Sequence, residues 1–208
     1  MDIFIVGGSG RVGLELAKTL KDNNHNVIVG SRSPEKIDAD GFQTVKLDLT
    51  DSVSAIAEAI GKVDIVYFTA GSRGKDLLQI DAFGAVRTML AAEKNNIKRY
   101  IMLSAYESLN PDAWDDKPYS DLREYYEAKF LADKYLMDST QLDYTILQAV
   151  ALEEEAGNGK GDHATEQTVA IPDVGLALAA LAEEDNTIGK VVTISNGDKD
   201  IATLMKNV

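Results

Sequence analysis

The sequence predicts one α/β domain, spanning residues 1–208, in which helices cover both faces of a mainly parallel sheet of about seven strands. Short apolar, β-branched runs alternate along the chain with longer segments whose apolar positions recur every three or four residues. Strand–helix alternation of this kind is typical of a parallel sheet with one layer of helices on each face. The length of 208 residues lies within the range of a single domain.

The elements follow in a regular order. The predicted strands are residues 2–6, 26–30, 44–47, 63–68, 99–103, 144–147 and 191–194. The predicted helices are residues 12–20, 52–60, 77–94, 120–137 and 174–183. Asp51 is a cap candidate for the second helix, and Pro172 suits the start of the last one.

Charge and composition narrow the range of partners. A formal charge of −13 repels phosphate backbones, which argues against nucleic acid as the main partner. The absence of cysteine excludes disulfides and thiolate chemistry, and His25 and His163 lie too far apart in sequence to suggest a metal site. No segment approaches the roughly 20 apolar residues of a membrane span. We therefore expect a cytoplasmic protein without membrane or metal partners, with monomer and homodimer both open.

Three glycines mark a binding site for phosphate. Gly7, Gly10 and Gly13 form G-x-x-G-x-x-G directly after the first strand and at the start of the first helix. Glycines at these positions let the backbone turn tightly beside a pyrophosphate, whose charge meets the N–H groups of the helix terminus. No Lys-Ser or Lys-Thr pair follows the motif, which excludes a P-loop. A glycine-rich turn that binds no ligand remains the alternative.

The end of the second strand favours NADP(H) over NAD(H). NAD-specific proteins place an acidic residue there, whereas this chain has Arg32 between Ser31 and Ser33. The Arg32 guanidinium could pair with a 2′-phosphate, and Arg11 could approach the same phosphate from the glycine turn. Two solvated surface arginines are the alternative interpretation.

At this point the sequence resembles the atypical short-chain dehydrogenase/reductase family, whose members include NmrA-like and biliverdin-reductase-B-like Rossmann proteins. The resemblance covers nearly the whole chain and rests on GGSGRVG at 7–13, GSR at 30–32, YYEAK at 125–129, LDYTILQ at 142–148 and IGKVVTISNGDKDI at 188–201. It implies that Asp48 and Leu49 flank the adenine and that Ala70 and Gly71 run beside the cofactor. The motif and the resemblance together predict these cofactor-binding residues: Gly7, Ser9, Gly10, Arg11, Val12, Gly13, Ser31, Arg32, Asp48, Leu49, Ala70, Gly71 and Lys129.

Tyr125 and Lys129 form Y-x-x-x-K on a predicted helix, where a spacing of four places both side chains on one face. The resemblance implies that the lysine binds the nicotinamide ribose and lowers the tyrosine pKa, so that the phenol exchanges a proton with the substrate. It also implies a hydroxyl residue after the fifth strand that polarises the substrate oxygen. Ser104 is the candidate, and Ser108 is the alternative. An ordinary amphipathic helix with a solvated lysine also remains open.

The loops 104–120 and 149–170 are predicted to form the substrate side, and the glutamate- and glycine-rich segment 153–161 is predicted to be mobile. The expected function is an NADP(H)-dependent oxidoreductase acting on a small carbonyl, quinone or flavin-like substrate. A non-catalytic NAD(P) sensor of the NmrA-like kind is the alternative. Sugar-nucleotide epimerisation is weaker, because the region after the sixth strand is short for a substrate domain.

Overall fold

A computed structural model describes residues 1–37 and 41–208. Its strands are β1 (Asp2–Val6), β2 (Asn26–Ser31), β3 (Gln43–Lys46), β4 (Ile65–Phe68), β5 (Arg99–Ala105), β6 (Asp143–Ala149), β7 (Ala151–Glu153), β8 (Lys160–Asp162), β9 (Thr168–Ala170) and β10 (Lys190–Asp200). Its helices are α1 (Arg11–Asp22), α2 (Val53–Ile60), α3 (Phe83–Lys94), α4 (Arg123–Ser139), α5 (Ile171–Ala180) and α6 (Ile201–Lys206). A π-helical turn, Leu77–Ala82, leads directly into α3.

The main sheet has eight strands in the order β3-β2-β1-β4-β5-β6-β10-β8. The seven strands from β3 to β10 pair in parallel, and only β8 is antiparallel to its neighbour. These seven are the strands that the sequence predicts, so the Rossmann-type fold is confirmed. The strand order reverses between β1 and β4, which opens a crevice at the carboxyl ends of the two strands.

Side chains of β1 enter both halves of the core. Ile3 and Ile5 pack beneath α1 and α5, whereas Phe4 and Val6 pack beneath α2 and α3, because successive side chains of a strand point to opposite faces. All four are fully buried. A strand covered on both faces explains the continuous apolar run at the N-terminus.

Several predicted boundaries shift in the structure. The prediction of Asp51 as the cap of α2 is wrong, because the Ser52 side chain accepts the N–H of Ala55 instead. The predicted helix 77–94 is confirmed as a π-helical turn followed by α3, and Pro172 lies in the first turn of α5 as predicted. No helix in residues 1–37 or 41–208 is long and apolar enough to cross a membrane.

Candidate dinucleotide and active site

Two of the motif glycines are required by the packing of the turn itself. Gly7 has a φ of +78°, and a Cβ there would lie 2.5 Å from the Ala70 Cα after β4. A Cβ on Gly13 would lie 2.6 Å from the carbonyl oxygen of Gly7. The first glycine therefore joins the loops after β1 and β4, and the last brings α1 close to the turn.

Gly10 leaves the start of α1 open to a ligand. It is the N-cap of the helix, and no side chain in the described chain caps it. A Cβ on Gly10 would approach only the carbonyl oxygen of Gly7, at 3.1 Å. The first N–H groups of α1 are thus available to an anion, so the turn fits the pyrophosphate of a dinucleotide.

The end of β2 adds hydroxyl groups beside this turn. The Ser31 hydroxyl donates to Ser9 Oγ at 3.0 Å and accepts the N–H of Ser33 at 3.2 Å. Arg32 between them is exposed. A cavity of about 770 Å³ opens next to these residues. It is lined by the three serines, by Lys18, Lys21 and Lys36, by Asp22, and by Leu14, Ile37 and Phe42.

Arg11, the first residue of α1, reaches across the site to the C-terminal part of the chain. Its Nη1 lies 2.6 Å from Glu154 Oε1, and both side chains are largely exposed. Glu154 belongs to the segment 153–161, which the sequence predicts to be a mobile loop. This segment is held against α5, because the N–H groups of Asn158 and Gly159 donate to the buried carboxylate of Asp173. Its ends lie in β7 and β8. Val12, the next residue of α1, is buried.

The two residues predicted to flank the adenine differ in placement. Asp48 is half-buried and accepts the N–H and the hydroxyl of Thr50, at 2.9 and 2.7 Å. These hydrogen bonds hold the pKa of Asp48 below its usual value. The Leu49 side chain is buried in the core, against Gly84 of α3. Adenine contact through both side chains therefore remains a prediction.

Asp81 connects the loop after β4 to the start of α3. It lies in the π-helical turn, is fully buried, and accepts the N–H of Ser72 at 2.9 Å. A Cβ on Gly71 would lie 3.3 Å from Asp81 Oδ1, so the loop passes directly over this carboxylate. Ala70 and Gly71 thus lie between the glycine turn and Asp81. Asp81 is not among the residues predicted from the sequence, because a single aspartate in a helical segment carries no pattern.

Tyr125 and Lys129 lie together on α4, as their spacing predicts. The Lys129 Nζ is 6.0 Å from the centre of the Tyr125 ring and donates to the carbonyl oxygen of Leu103 at 2.9 Å. Lys129 is buried, so the alternative of a solvated lysine is wrong. Tyr125 is half-buried.

Burial and nearby carboxylates shift the pKa values of Tyr125 and Lys129. The lowered tyrosine pKa that the resemblance implies is wrong for this protein: burial raises the pKa of Tyr125, and the negative charges of Asp81 and Asp133 raise it further. Burial lowers the pKa of Lys129, while Asp133 and Asp81 oppose that change. Tyr125 therefore keeps its proton at neutral pH, which suits a proton donor rather than an acceptor.

Ser104 belongs to a buried polar cluster beneath α4, which we call the Asp133 cluster: Ser104, Ser108, Asp133 and Gln148. The hydroxyls of Ser104 and Ser108 both donate to Asp133 Oδ2, at 2.7 and 2.6 Å. Gln148 Nε2 donates to Ser108 Oγ at 2.8 Å. The structure thus brings the two candidate serines together, with their hydroxyls directed at one carboxylate.

Burial raises the pKa of Asp133 to about 6, although the two serine hydrogen bonds and the Lys129 charge lower it. Asp133 is not among the residues predicted from the sequence. It follows Lys129 by four residues, just as Lys129 follows Tyr125, so the helical spacing could have revealed it.

The loop 104–120 is fixed to α4 by aromatic rings. Trp114 is buried and packs against Tyr126 and Phe130, with ring centres 6.0 and 5.8 Å apart. Its indole N–H donates to the carbonyl oxygen of Glu107 at 2.9 Å. The Tyr125 ring lies edge to face with Tyr126, so the aromatic cluster extends to the Tyr–Lys pair. The role of this loop as a substrate wall remains a prediction.

The parallel sheet, the glycine turn at its switch point and the exposed start of α1 define a Rossmann-type dinucleotide-binding protein. A family model described as NAD(P)H-binding matches residues 7–185, and the chain belongs to that family.

Named relatives and solved structures are similar to nearly the whole chain. The chain is 32% identical to Bacillus subtilis YhfK, named an uncharacterized sugar epimerase, over 100% of both chains. It is 36% identical to the oxidoreductase YlbE of Lactococcus lactis, whose crystal structure superposes with a TM-score of 0.95 over 100% of this chain and 96% of that one. ChuY of Escherichia coli O157:H7, described as an anaerobillin reductase, shares the fold, with 23% identity, a TM-score of 0.78 and coverage of 96% and 98%.

Proposed function

We propose that this protein is an NADP(H)-dependent reductase that acts on a small carbonyl, quinone or flavin-like substrate. The observation that carries the proposal is the pair formed by the half-buried Tyr125 and the buried Lys129 on α4, together with a glycine turn that leaves helix N–H groups open to a ligand. Asp81 connects the two parts, since it accepts the N–H of Ser72 and its charge acts on both Tyr125 and Lys129.

The residues at the end of β2 support NADP(H) over NAD(H). Arg32 is exposed there, the Ser31 hydroxyl lies beside Ser9, and no carboxylate occupies position 31, 32 or 33. Arg11 is a second cation for a 2′-phosphate, although it is paired with Glu154. The lysines that line the adjacent cavity offset the strongly acidic character of the chain at this place.

The reaction needs one proton and one hydride. The nicotinamide, when bound, supplies the hydride to the substrate carbon. The Tyr125 hydroxyl gives its proton to the carbonyl oxygen as that oxygen gains the electron pair of the broken π bond. The Lys129 ammonium stabilises the phenolate that remains. The oxidoreductase description of YlbE supports this reaction class.

The cofactor proposal is tested by titrating the protein with NADPH and with NADH and following Trp114 and cofactor fluorescence. We expect tighter binding of NADPH. Arg32→Ala should weaken NADPH binding about 10- to 100-fold, the value of one charge-assisted hydrogen bond, and leave NADH binding nearly unchanged. Lys98→Ala is the control, because it removes the same charge just before β5, at the amino ends of the parallel strands, whereas the glycine turn lies at their carboxyl ends. Equal affinity for the two nucleotides would contradict the assignment.

The reductase proposal is tested by following NADPH oxidation with a panel of carbonyls, quinones and flavins. Tyr125→Phe should abolish turnover and leave NADPH affinity within a few-fold, since the proton donor is lost and the ring is kept. Tyr126→Phe is the matched control, because it removes the neighbouring hydroxyl from the same aromatic cluster. Full turnover by Tyr125→Phe would refute the tyrosine mechanism.

One observation favours a second candidate, a non-catalytic NAD(P) sensor. The Ser104 hydroxyl, predicted to polarise the substrate, donates instead to the buried Asp133. Tight NADPH binding without oxidation by any class in the panel would support the sensor.

A further inference from the structure

Lys129 lies in a site where its charge is costly. The side chain is buried, and among the described residues its ammonium donates to the neutral carbonyl oxygen of Leu103. Burial of an ammonium group favours the neutral amine. The proposed mechanism needs the charged form, because only an ammonium stabilises the Tyr125 phenolate. Something nearby must therefore supply negative charge.

Two carboxylates act on Lys129 from different elements. Asp133 lies one turn further along α4, and Asp81 projects from the π-helical turn. The contribution of Asp133 is the larger. Asp81 is engaged by the N–H of Ser72 through Oδ2. The other carboxylate, Asp133, has one unpaired oxygen: its Oδ1 is buried and has no hydrogen-bond partner in the described part of the chain.

The Asp133 cluster holds this carboxylate in place. Ser104 at the end of β5 and Ser108 in the following loop both donate to Oδ2, and Gln148 of β6 fixes Ser108. Every one of these groups is neutral, so they orient Asp133 and leave its charge unneutralised. A buried oxygen without a donor costs stability, and such a cost is commonly retained where it serves a function.

We propose that Asp133 is the counter-ion of Lys129: a positioning residue that keeps the ammonium charged in the buried site, and so acts on Tyr125 through Lys129. The inference rests on the proposed function for its purpose. The charge coupling itself is a property of the protein alone. In these terms Ser104 and Ser108 orient Asp133, and neither needs to touch a substrate.

The test is an NMR titration of the protein labelled with ¹³C-lysine, without cofactor or substrate. The Lys129 Cε signal is identified by its loss in Lys129→Met. In Asp133→Asn, which keeps the shape and an acceptor oxygen, the midpoint of the Lys129 titration should fall by about 1 unit or more, the usual effect of losing a nearby opposite charge. An unchanged midpoint would overturn the proposal.

Two further measurements separate charge from structure. Ser108→Ala removes a hydrogen bond of the cluster and keeps the carboxylate, so it should leave the Lys129 midpoint in place. In the wild-type protein the same signal should show a smaller inflection near pH 6, where Asp133 ionises. This second readout needs no change at Asp133, so a failure of Asp133→Asn to fold leaves the test intact. Absence of the inflection would contradict the coupling.

The outcome is independent of the proposed activity. A protein that binds no NADPH, or oxidises none, would refute the reductase proposal, and the lysine titration would still decide whether Asp133 controls Lys129.

Discussion

Gly7 shows how much one missing side chain determines in this fold. Its backbone conformation, with φ at +78°, disfavours any residue with a Cβ, and its neighbour across the sheet is backbone rather than a flexible side chain. The loops after β1 and β4, which are far apart in sequence, therefore come into close contact at Gly7 and Ala70. That contact lies at the carboxyl ends of β1 and β4, where the crevice opens.

Gly7→Ala should lower the free energy of unfolding through both effects. The left-handed conformation costs about 1–2 kcal/mol, and displacing the Ala70 backbone costs about 1–3 kcal/mol more. Gly74→Ala is a matched control, since its φ of +77° is nearly the same and an added Cβ there would have no atom within 4 Å in the described chain. Urea unfolding of both variants measures the difference. Equal losses would show that the close approach to Ala70 is not tight.

Asp133 should make stability depend on pH. Its pKa in the folded protein is about 6, above the ordinary value of 3.8, so the fold favours the protonated form. The stability that this preference contributes is fully present below about pH 4 and is lost as the pH rises through about 6. The loss is about 3 kcal/mol, because each pKa unit corresponds to about 1.4 kcal/mol.

Wild-type protein should therefore lose stability relative to Asp133→Asn between about pH 4 and about pH 7, as measured by urea unfolding at each pH. Asp138→Asn serves as the control, because that side chain lies on the exposed face of the same helix, paired with Lys134. Its stability difference from wild type should change by no more than about 0.5 kcal/mol over the same range, the value of an exposed i,i+4 ion pair. A flat difference for Asp133→Asn would show that the buried carboxylate does not titrate in this range.

At the scale of elements, strands and helices with a periodic apolar pattern can be predicted from the sequence. Elements and clusters that form through residues far apart in the chain cannot. All seven parallel strands are predictable. The central ones, such as residues 3–6, are runs that must be apolar on both faces, whereas the four residues of the edge strand β3 are exposed or half-buried. Strands β7, β8 and β9 have three residues each and form only because partners lie beside them. The site follows the same rule. The glycine turn and the Tyr–Lys pair are local patterns, whereas the Asp133 cluster joins residues from β5, α4 and β6.

The ion pair between α1 and the β7–β8 loop should have a measurable effect on the proposed NADPH binding. Glu154 engages Arg11, which the proposed site needs for the 2′-phosphate. Glu154→Gln should therefore tighten NADPH binding about 2- to 5-fold, the range of an exposed ion pair. Glu155→Gln, which makes the same charge change at the next residue, should have little effect. Weaker binding by Glu154→Gln would show that the ion pair positions Arg11 rather than competing for it.

For the whole molecule, the excess of 34 acidic over 21 basic residues is the dominant electrostatic feature. Repulsion among these charges disfavours the compact state, and dissolved salt screens it. The melting temperature at pH 7 should therefore rise as NaCl increases from about 0.01 M to about 0.15 M. The rise should shrink near pH 5, where part of the carboxylate charge is lost. A melting temperature that falls with salt would indicate that attractive ion pairs outweigh the repulsion.

The strand order also has a consequence for synthesis on the ribosome. The chain makes the centre of the sheet first, as β1, and adds the neighbours β2 and β4 on either side afterwards. The outer partner of β6 is β10, which begins only at Lys190. A nascent chain that has emerged as far as β6 thus presents an open, apolar sheet edge, the kind of surface that pairs with other chains. We expect a newly made chain to resist aggregation only after the segment from β10 onward has been added. Chains truncated before β10 should aggregate.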